Sequence, residues 1–241
     1  MTAAGPLSGR AAIVTGASRG IGLATARVLA AAGARVVMLA RTERDLRARA
    51  AEIGADAFPI ACDVTDTGAV DVAATEARHR LGGSPDILIN NAGAFTLAAI
   101  DAMPPAEFER TIAVNLVAPF HILRAFLPAM RERGAGHIVT IGSIADRMTF
   151  PENGAYAASK FGLRALHEVM RGELRGTGVR ATLVSPGPVD TPLWDPVAPE
   201  TRPGFTPRAA MLAADAVADA VLFVVTRPAA VNIDELRLSR S

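Results

Sequence analysis

The chain has 241 residues, half of them apolar, and a mean hydropathy of +0.28, which suffices for the core of one large α/β domain or two small ones. A formal net charge of +1, with no basic stripe and no acidic tail, argues against nucleic acid or a membrane surface as partner. No uninterrupted apolar run of transmembrane length appears, the opening MTAAGPLSGR lacks the apolar core of a leader, and a cytoplasmic location is expected.

In chain order, residues 11–15, AAIVT, read as a short buried strand. Gly16-Ala17-Ser18-Arg19-Gly20-Ile21-Gly22 follows, and a helical pattern then runs through Leu29. Glycine at three set places between strand and helix permits a tight turn, admits a pyrophosphate to the backbone and packs helix on sheet. The helix N-terminus then turns free N–H groups toward the phosphates. The spacing is GxxxGxG, not GxGxxG. Residues 35–39 form a second strand ending at Ala40-Arg41, and the next helix runs from the N-cap Thr42 to Ile53. A third strand, 57–61, ends at Cys62-Asp63; residues 66–79 are helical. Strand four, 86–89, ends at Asn90-Asn91-Ala92-Gly93.

A helical pattern over roughly 105–131 contains Asn115, and Pro119 and Pro128 within it predict a kink or an early end. Strand five, 138–141, leads through Gly142 to Ser143, then a Pro/Asn/Gly loop at 151–154, then an Ala-rich helix to about Leu174. Strand six, 179–184, ends at Ser185-Pro186-Gly187-Pro188, and residues 186–208, with seven prolines, read as an irregular lobe. A helix over 213–225 and a strand over 233–236 close the chain. Cys62, the single cysteine, has no internal partner and reads as a small buried hydrophobe. The four histidines, His79, His121, His137 and His167, lack metal-ligand spacing, so no metal is expected. Strands and helices alternate throughout, which implies an α/β fold whose parallel sheet is covered on both faces. Ligands bind such sheets at the strands' carboxyl ends. Gly16, Arg41, Asp63, Asn90, Ser143 and Pro186 each follow such an end.

The chemistry-bearing stretch is HIVTIGSIADRMTFPENGAYAASK, residues 137–160. Tyr156 and Lys160 are four residues apart, so phenol and ammonium share a helix face. A free tyrosine has a pKa near 10, and a nearby cation is expected to lower it by about 1–3 units. With a hydroxyl from Ser143 across the cleft, the three make a proton-transfer device for a carbonyl/alcohol pair. Taken singly, a surface Tyr–Lys pair is commonplace, a serine after a strand is a turn residue, and Asp63 serves equally as the cap of the next segment.

TGASRGIG, CDV, NNAG, VNL, GS, YAASK and SPGPVDT, in this order, resemble the short-chain dehydrogenase/reductase (SDR) family from Arg10 to about Leu238. The resemblance implies a single doubly wound Rossmann domain over residues 1–241, with a seven-stranded parallel sheet. It implies a dinucleotide turn at Gly16, Gly20 and Gly22 with Ser18, Arg19 and Ile21 between them. Asp63 would bond the adenine amino group with Val64 beside the ring, and Asn90, Ala92 and Gly93 would floor the adenosine ribose. Asn115 would hold a relay water, Ser143 would orient the carbonyl oxygen, and Tyr156 would exchange the proton. Lys160 would bind the nicotinamide ribose and depress the Tyr156 pKa, while Pro186, Gly187, Val189 and Thr191 would seat the nicotinamide.

NAD sites of this kind carry an acidic residue at the end of strand two. Here Ala40 and Arg41 stand there, so Arg41, with Arg19 approaching, is expected to pair with a 2′-phosphate, giving NADP(H) as cofactor. The reading is hydride transfer between nicotinamide and a small carbonyl or secondary alcohol, as a ketone or aldehyde reductase. A 3-oxoacyl-carrier-protein reductase and, in another class, a non-catalytic NADP-binding redox sensor are the alternatives. Candidate pocket residues are Phe95, Ile144, Met148, Phe150, Leu193 and Trp194; Asp146, Arg147, Asp195 and Arg202 are equally able to face water. Residues 188–208 are expected to act as a lid. The apolar positions of the Tyr156 helix, among them Phe161, Gly162, Ala165, Leu166, Val169, Met170 and Leu174, cover more than half its circumference, and the surplus over one core stripe predicts a homo-oligomer, a tetramer by the resemblance.

Overall fold

Residues 5–241 are described by the computed structural model; residues 1–4, the start of the segment read as lacking a leader's core, lie outside the described residues. The strands are β1 (Ala11–Thr15), β2 (Arg35–Ala40), β3 (Ala57–Ala61), β4 (Ile87–Asn90), β5 (Gly136–Ile141), β6 (Val179–Pro186), β7 (Val189–Asp190), β8 (Leu212–Ala213) and β9 (Glu235–Leu238). The α-helices are α1 (Gly20–Ala31), α2 (Glu43–Ile53), α3 (Thr67–Leu81), α4 (Pro105–Ile112), α5 (Ala118–Arg133), α6 (Gly154–Glu173) and α7 (Ala214–Val225). Seven strands form one sheet in the order β3-β2-β1-β4-β5-β6-β9, with every pairing parallel. A parallel sheet needs cover on both faces, and the near-continuous apolar strands supply it. Neighbours along a strand take opposite faces: Val14 belongs to the core on one side with Leu29 of α1 and Val221 of α7, whereas Ile13 belongs to the core on the other with Val70 of α3, Phe126 of α5 and Met170 of α6. The parallel sheet covered on both faces is thus the one the alternation implied, and its seven-stranded, Rossmann-like doubly wound order the one the resemblance implied. β1 and β4 are neighbours, and the strand order reverses between them, which opens a crevice at their carboxyl ends.

Element ends follow local chemistry. Asp66, not Asp63, caps α3, accepting from the N–H groups of Gly68 and Ala69 at 2.8 and 3.1 Å. The long helical pattern is not ended by its prolines. It runs from Pro105 to Arg133, interrupted by a π turn at Ala113–Val117 that joins α4 to α5. Pro119 has no N–H to give the Asn115 carbonyl four residues earlier, and the chain widens by one residue there instead of kinking. By length and composition this helix is apolar enough to cross a membrane. One side of it is core, with Ala118, Ile122, Phe126 and Met130 buried.

Candidate active site

The glycine turn is shaped by contacts that admit no side chain. Gly16 has φ +66, and a Cβ there would lie 2.9 Å from Ala92 Cα. One at Gly22 would lie 2.3 Å from the Gly16 carbonyl oxygen. At Gly20 the neighbour is Thr191, 3.2 Å away, so a residue from beyond β6 closes over the turn. α1 starts at Gly20 with Arg19 extended as its cap and no side chain bonded to the first N–H groups. Thr15, which sequence reasoning passed over, ties this turn to β4: its Oγ1 donates to Ile89 O and accepts the N–H groups of Asn91 and Ala92 at 2.9 and 3.0 Å. Asn91 Nδ2 donates back to Thr15 O at 2.8 Å. The signal was legible as a threonine directly before the first glycine. The Asn90 side chain is buried with neither polar atom bonded to protein, and Gly93 is exposed.

At the end of β2, Ala40 is buried and Arg41 is exposed. Neither Arg19 nor Arg41 has an ion pair within 4 Å among the described residues. Asp63 Oδ1 accepts from Thr65 N and Oγ1; those bonds, and then the charge of Arg41, hold its carboxyl below the ordinary range. Val64 is buried beside it, and Ser18 and Ile21 are half-buried. Uncapped N–H groups, glycines fitted against backbone, a buried unpaired amide and two free guanidiniums fit a phosphorylated dinucleotide.

Ser143 follows β5 as the cap of a 3-10 turn, Ile144–Asp146, and its Oγ accepts the Ala145 N–H at 3.1 Å. Its side chain stands close enough to the Tyr156 phenol to favour the phenolate. Lys160 is buried; its Nζ donates to Ile141 O at 3.0 Å and lies 5.7 Å from the centre of the Tyr156 ring. Here the structure corrects the expectation. The Tyr156 pKa is raised, because desolvation of the phenol outweighs the opposing influence of the Ser143 side chain and the negative charge of Asp146 adds to it. The ammonium is held by the strand-end carbonyl over the ring. Burial also pulls Lys160 down to about 8, with Asp146 opposing.

Asn115 lies in the π turn, fully buried, its Oδ1 accepting from Ala94 N at 2.7 Å and its Nδ2 donating to Ala94 O and to Ser159 Oγ, each at 2.9 Å. It ties the loop after β4 to α6 one residue before Lys160. Phe95 meets Tyr156 edge-on at 4.8 Å and Trp194 at 4.9 Å, and Trp194 Nε1 donates to Val189 O. Ile144 and Leu193 are half-buried, whereas Met148 and Phe150 are exposed, at 48% and 45%. Pro186, Val189 and Thr191 are buried at the end of β6, and Gly187 N donates to Leu238 O.

The short chain dehydrogenase family model matches residues 10–202. The chain belongs to this family. It is 32% identical to an uncharacterized oxidoreductase of Staphylococcus epidermidis, over 95% of this chain and 96% of that one. Among solved structures it resembles a metagenomic short-chain oxidoreductase in complex with NADP, with TM-score 0.83 and 38% identity over 98% and 100% of the two chains. It also resembles an alcohol dehydrogenase of the archaeon Thermococcus sibiricus complexed with 5-hydroxy-NADP, with TM-score 0.84 and 30% identity over 95% of each. The protein is an SDR oxidoreductase using a nicotinamide cofactor.

Two further features of this SDR chain bear on the sequence reading. Asp146 and Arg147 do not face water: the Asp146 carboxylate is 1% exposed and is bonded to Arg147 Nε at 2.8 Å and to Ser185 Oγ. The irregular lobe consists of short turns, Pro192–Trp194 and Pro199–Thr201 among them, tied by ions: Arg208 to Asp190 and Asp195, and Arg202 to Glu152.

Proposed function

We propose that this protein is an NADP(H)-dependent reductase of small ketones or aldehydes, interconverting carbonyl and secondary alcohol. The observation that carries it is the meeting of Ser143 and a buried Lys160 at the chain's single tyrosine, on the sheet edge that holds the glycine turn. NADP(H), when bound, supplies or accepts the hydride. Gly16, Ser18, Gly20, Ile21, Gly22 and the first N–H groups of α1 would hold its pyrophosphate, Arg19 and Arg41 its 2′-phosphate. Asp63 and Val64 would take the adenine, Asn90, Ala92 and Gly93 the adenosine ribose. Lys160 would take the second ribose, and Pro186, Gly187, Val189 and Thr191 the nicotinamide.

In reduction Tyr156 gives its proton to the oxygen on which alkoxide charge develops. A phenol of raised pKa keeps that proton available at neutral pH. Ser143, whose Oγ accepts from Ala145, retains its own hydroxyl proton to donate to the same oxygen. Asn115, whose carbonyl lacks the donor that Pro119 would otherwise be, would hold a water that re-protonates Tyr156 by way of Lys160. Phe95 and Trp194 would flank a compact apolar carbonyl more readily than an acyl chain on a carrier protein, which favours this reading over a 3-oxoacyl-carrier-protein reductase. A complete catalytic set favours it over a redox sensor. The ion-tied lobe of residues 188–208 would act as the lid, and exposed Phe108, Val117, Phe120, Phe161 and Val169 on α4, the π turn, α5 and α6 would form the contact of a cytoplasmic homotetramer.

The test is a panel of ketones, aldehydes and acyl thioesters assayed with NADPH and NADH. Turnover of ketones or aldehydes with NADPH is expected. Turnover of acyl thioesters alone would move the assignment to the carrier-protein reductase, and NADPH binding without turnover of any carbonyl would move it to the sensor.

A further inference from the structure

Beneath the catalytic serine lies a buried carboxylate. Asp146 Oδ2 accepts from Ser185 Oγ at the end of β6 and, at 3.4 Å, from the Ser143 N–H; Oδ1 accepts from Arg147 Nε at 2.8 Å and lies 3.6 Å from Arg164 Nη1 of α6. Arg147 and Arg164 both continue to Glu235 of β9, and Arg164 reaches Glu168 as well. From α6 the charges of Tyr156 and Lys160 also couple to Asp146. The chain makes room for this cluster. A Cβ on Gly142 would come 2.6 Å from Ser185 Oγ and 2.7 Å from Asp146 Oδ2, so the residue before the serine must be glycine for the carboxylate to sit there. A buried carboxylate is costly unless fully paired, and this one is paired on both oxygens by groups from three elements.

We propose that Asp146 is a positioning residue: it fixes Ser143 from behind through the Ser143–Asp146 capping box and keeps a negative charge under Tyr156 and Lys160, braced on β9 by Arg147, Arg164 and Glu235. The proposal rests on the reading of Ser143 and Tyr156 as the reacting pair. Without the brace the serine hydroxyl drifts from the phenol, and misplacement of about 1 Å in such a pair costs roughly 100-fold in rate. Without the charge, phenolate forms more readily.

The chain's single tyrosine lets ultraviolet phenolate absorbance report Tyr156 alone, read in stopped-flow pH jumps before alkaline unfolding. Asp146→Asn keeps the shape and removes the charge. The expected result is a Tyr156 midpoint shifted down, with kcat for carbonyl reduction down about ten-fold or more and NADPH affinity unchanged. A midpoint that does not move, or moves up, overturns the proposal. So does a kcat within two-fold of the parent. If Asp146→Asn fails to melt cooperatively, Ser185→Ala, which leaves the charge and removes its hydroxyl partner, is expected to lower kcat at an unchanged midpoint; an unchanged kcat there is equally decisive. A parent that reduces no carbonyl would refute the reductase reading, while the titration would still decide the placement of Asp146.

Discussion

Cofactor choice is the prediction on which the most structure bears. β2 ends at buried Ala40, where a carboxylate would be needed for a ribose 2′-hydroxyl, and exposed Arg41 follows it. Arg19 is exposed at the glycine turn. A charge-assisted hydrogen bond contributes about 1.5–3 kcal/mol. Both guanidiniums are solvent-exposed, so screening argues for the low end of that range. Two contacts at about 1.5 kcal/mol each correspond to a preference on the order of 100-fold for NADPH over NADH, at 1.4 kcal/mol per factor of ten. Replacing Ala40→Asp together with Arg41→Ala removes one contact and places a carboxylate where it repels a 2′-phosphate. The preference is expected to fall at least ten-fold and to turn toward NADH. The assay is kcat/KM with each cofactor for parent and double variant, at low and high salt, with the parent's preference shrinking as salt rises. Equal or better use of NADH by the parent, or a double variant that keeps the parent's ratio, would refute the reasoning.

Three further outcomes are expected. Tyr156→Phe abolishes nearly all turnover while NADPH still binds; more than a tenth of parental activity would remove Tyr156 from the acid/base role. Burial holds His167 at about 4 and His137 at about 3, each hydrogen-bonded to a threonine of the sheet. Below about pH 6.5 the unfolded chain therefore takes up protons that the fold refuses, and stability is lost as pH falls toward 4; a melting temperature flat from pH 7 to 4.5 would contradict this. Light scattering at micromolar concentration is expected to give an oligomer that Phe161→Glu with Val169→Glu converts to smaller species; a monomeric parent would rule out the α5–α6 contact.

Strand and helix order, the parallel sheet and the edge on which the site lies were legible because they follow from local pattern. Buried strands are apolar throughout, glycines mark turns that no side chain can enter, and a helix places residues four apart on one face. The family motifs added roles to the same residues. Less legible was anything set by residues far apart in the chain. Thr15 is joined to Asn91 across 76 positions and Asp146 to Ser185 across 39, and nothing beside Asp146 in sequence distinguishes it from a solvated turn residue.

The amino-acid sequence by itself determined the fold class, the glycine turn, the Ser143–Tyr156–Lys160 set and the missing carboxylate at the end of β2, since each is a matter of residue type and spacing. Only the tertiary structure decided the electrostatics. A charge pair four residues apart predicts a lowered Tyr156 pKa, but a pKa depends on solvent exposure and on every charge within reach. Folding half-buries Tyr156 and desolvates its phenol, ties Lys160 to the Ile141 carbonyl and brings the Asp146 carboxylate within electrostatic reach of both.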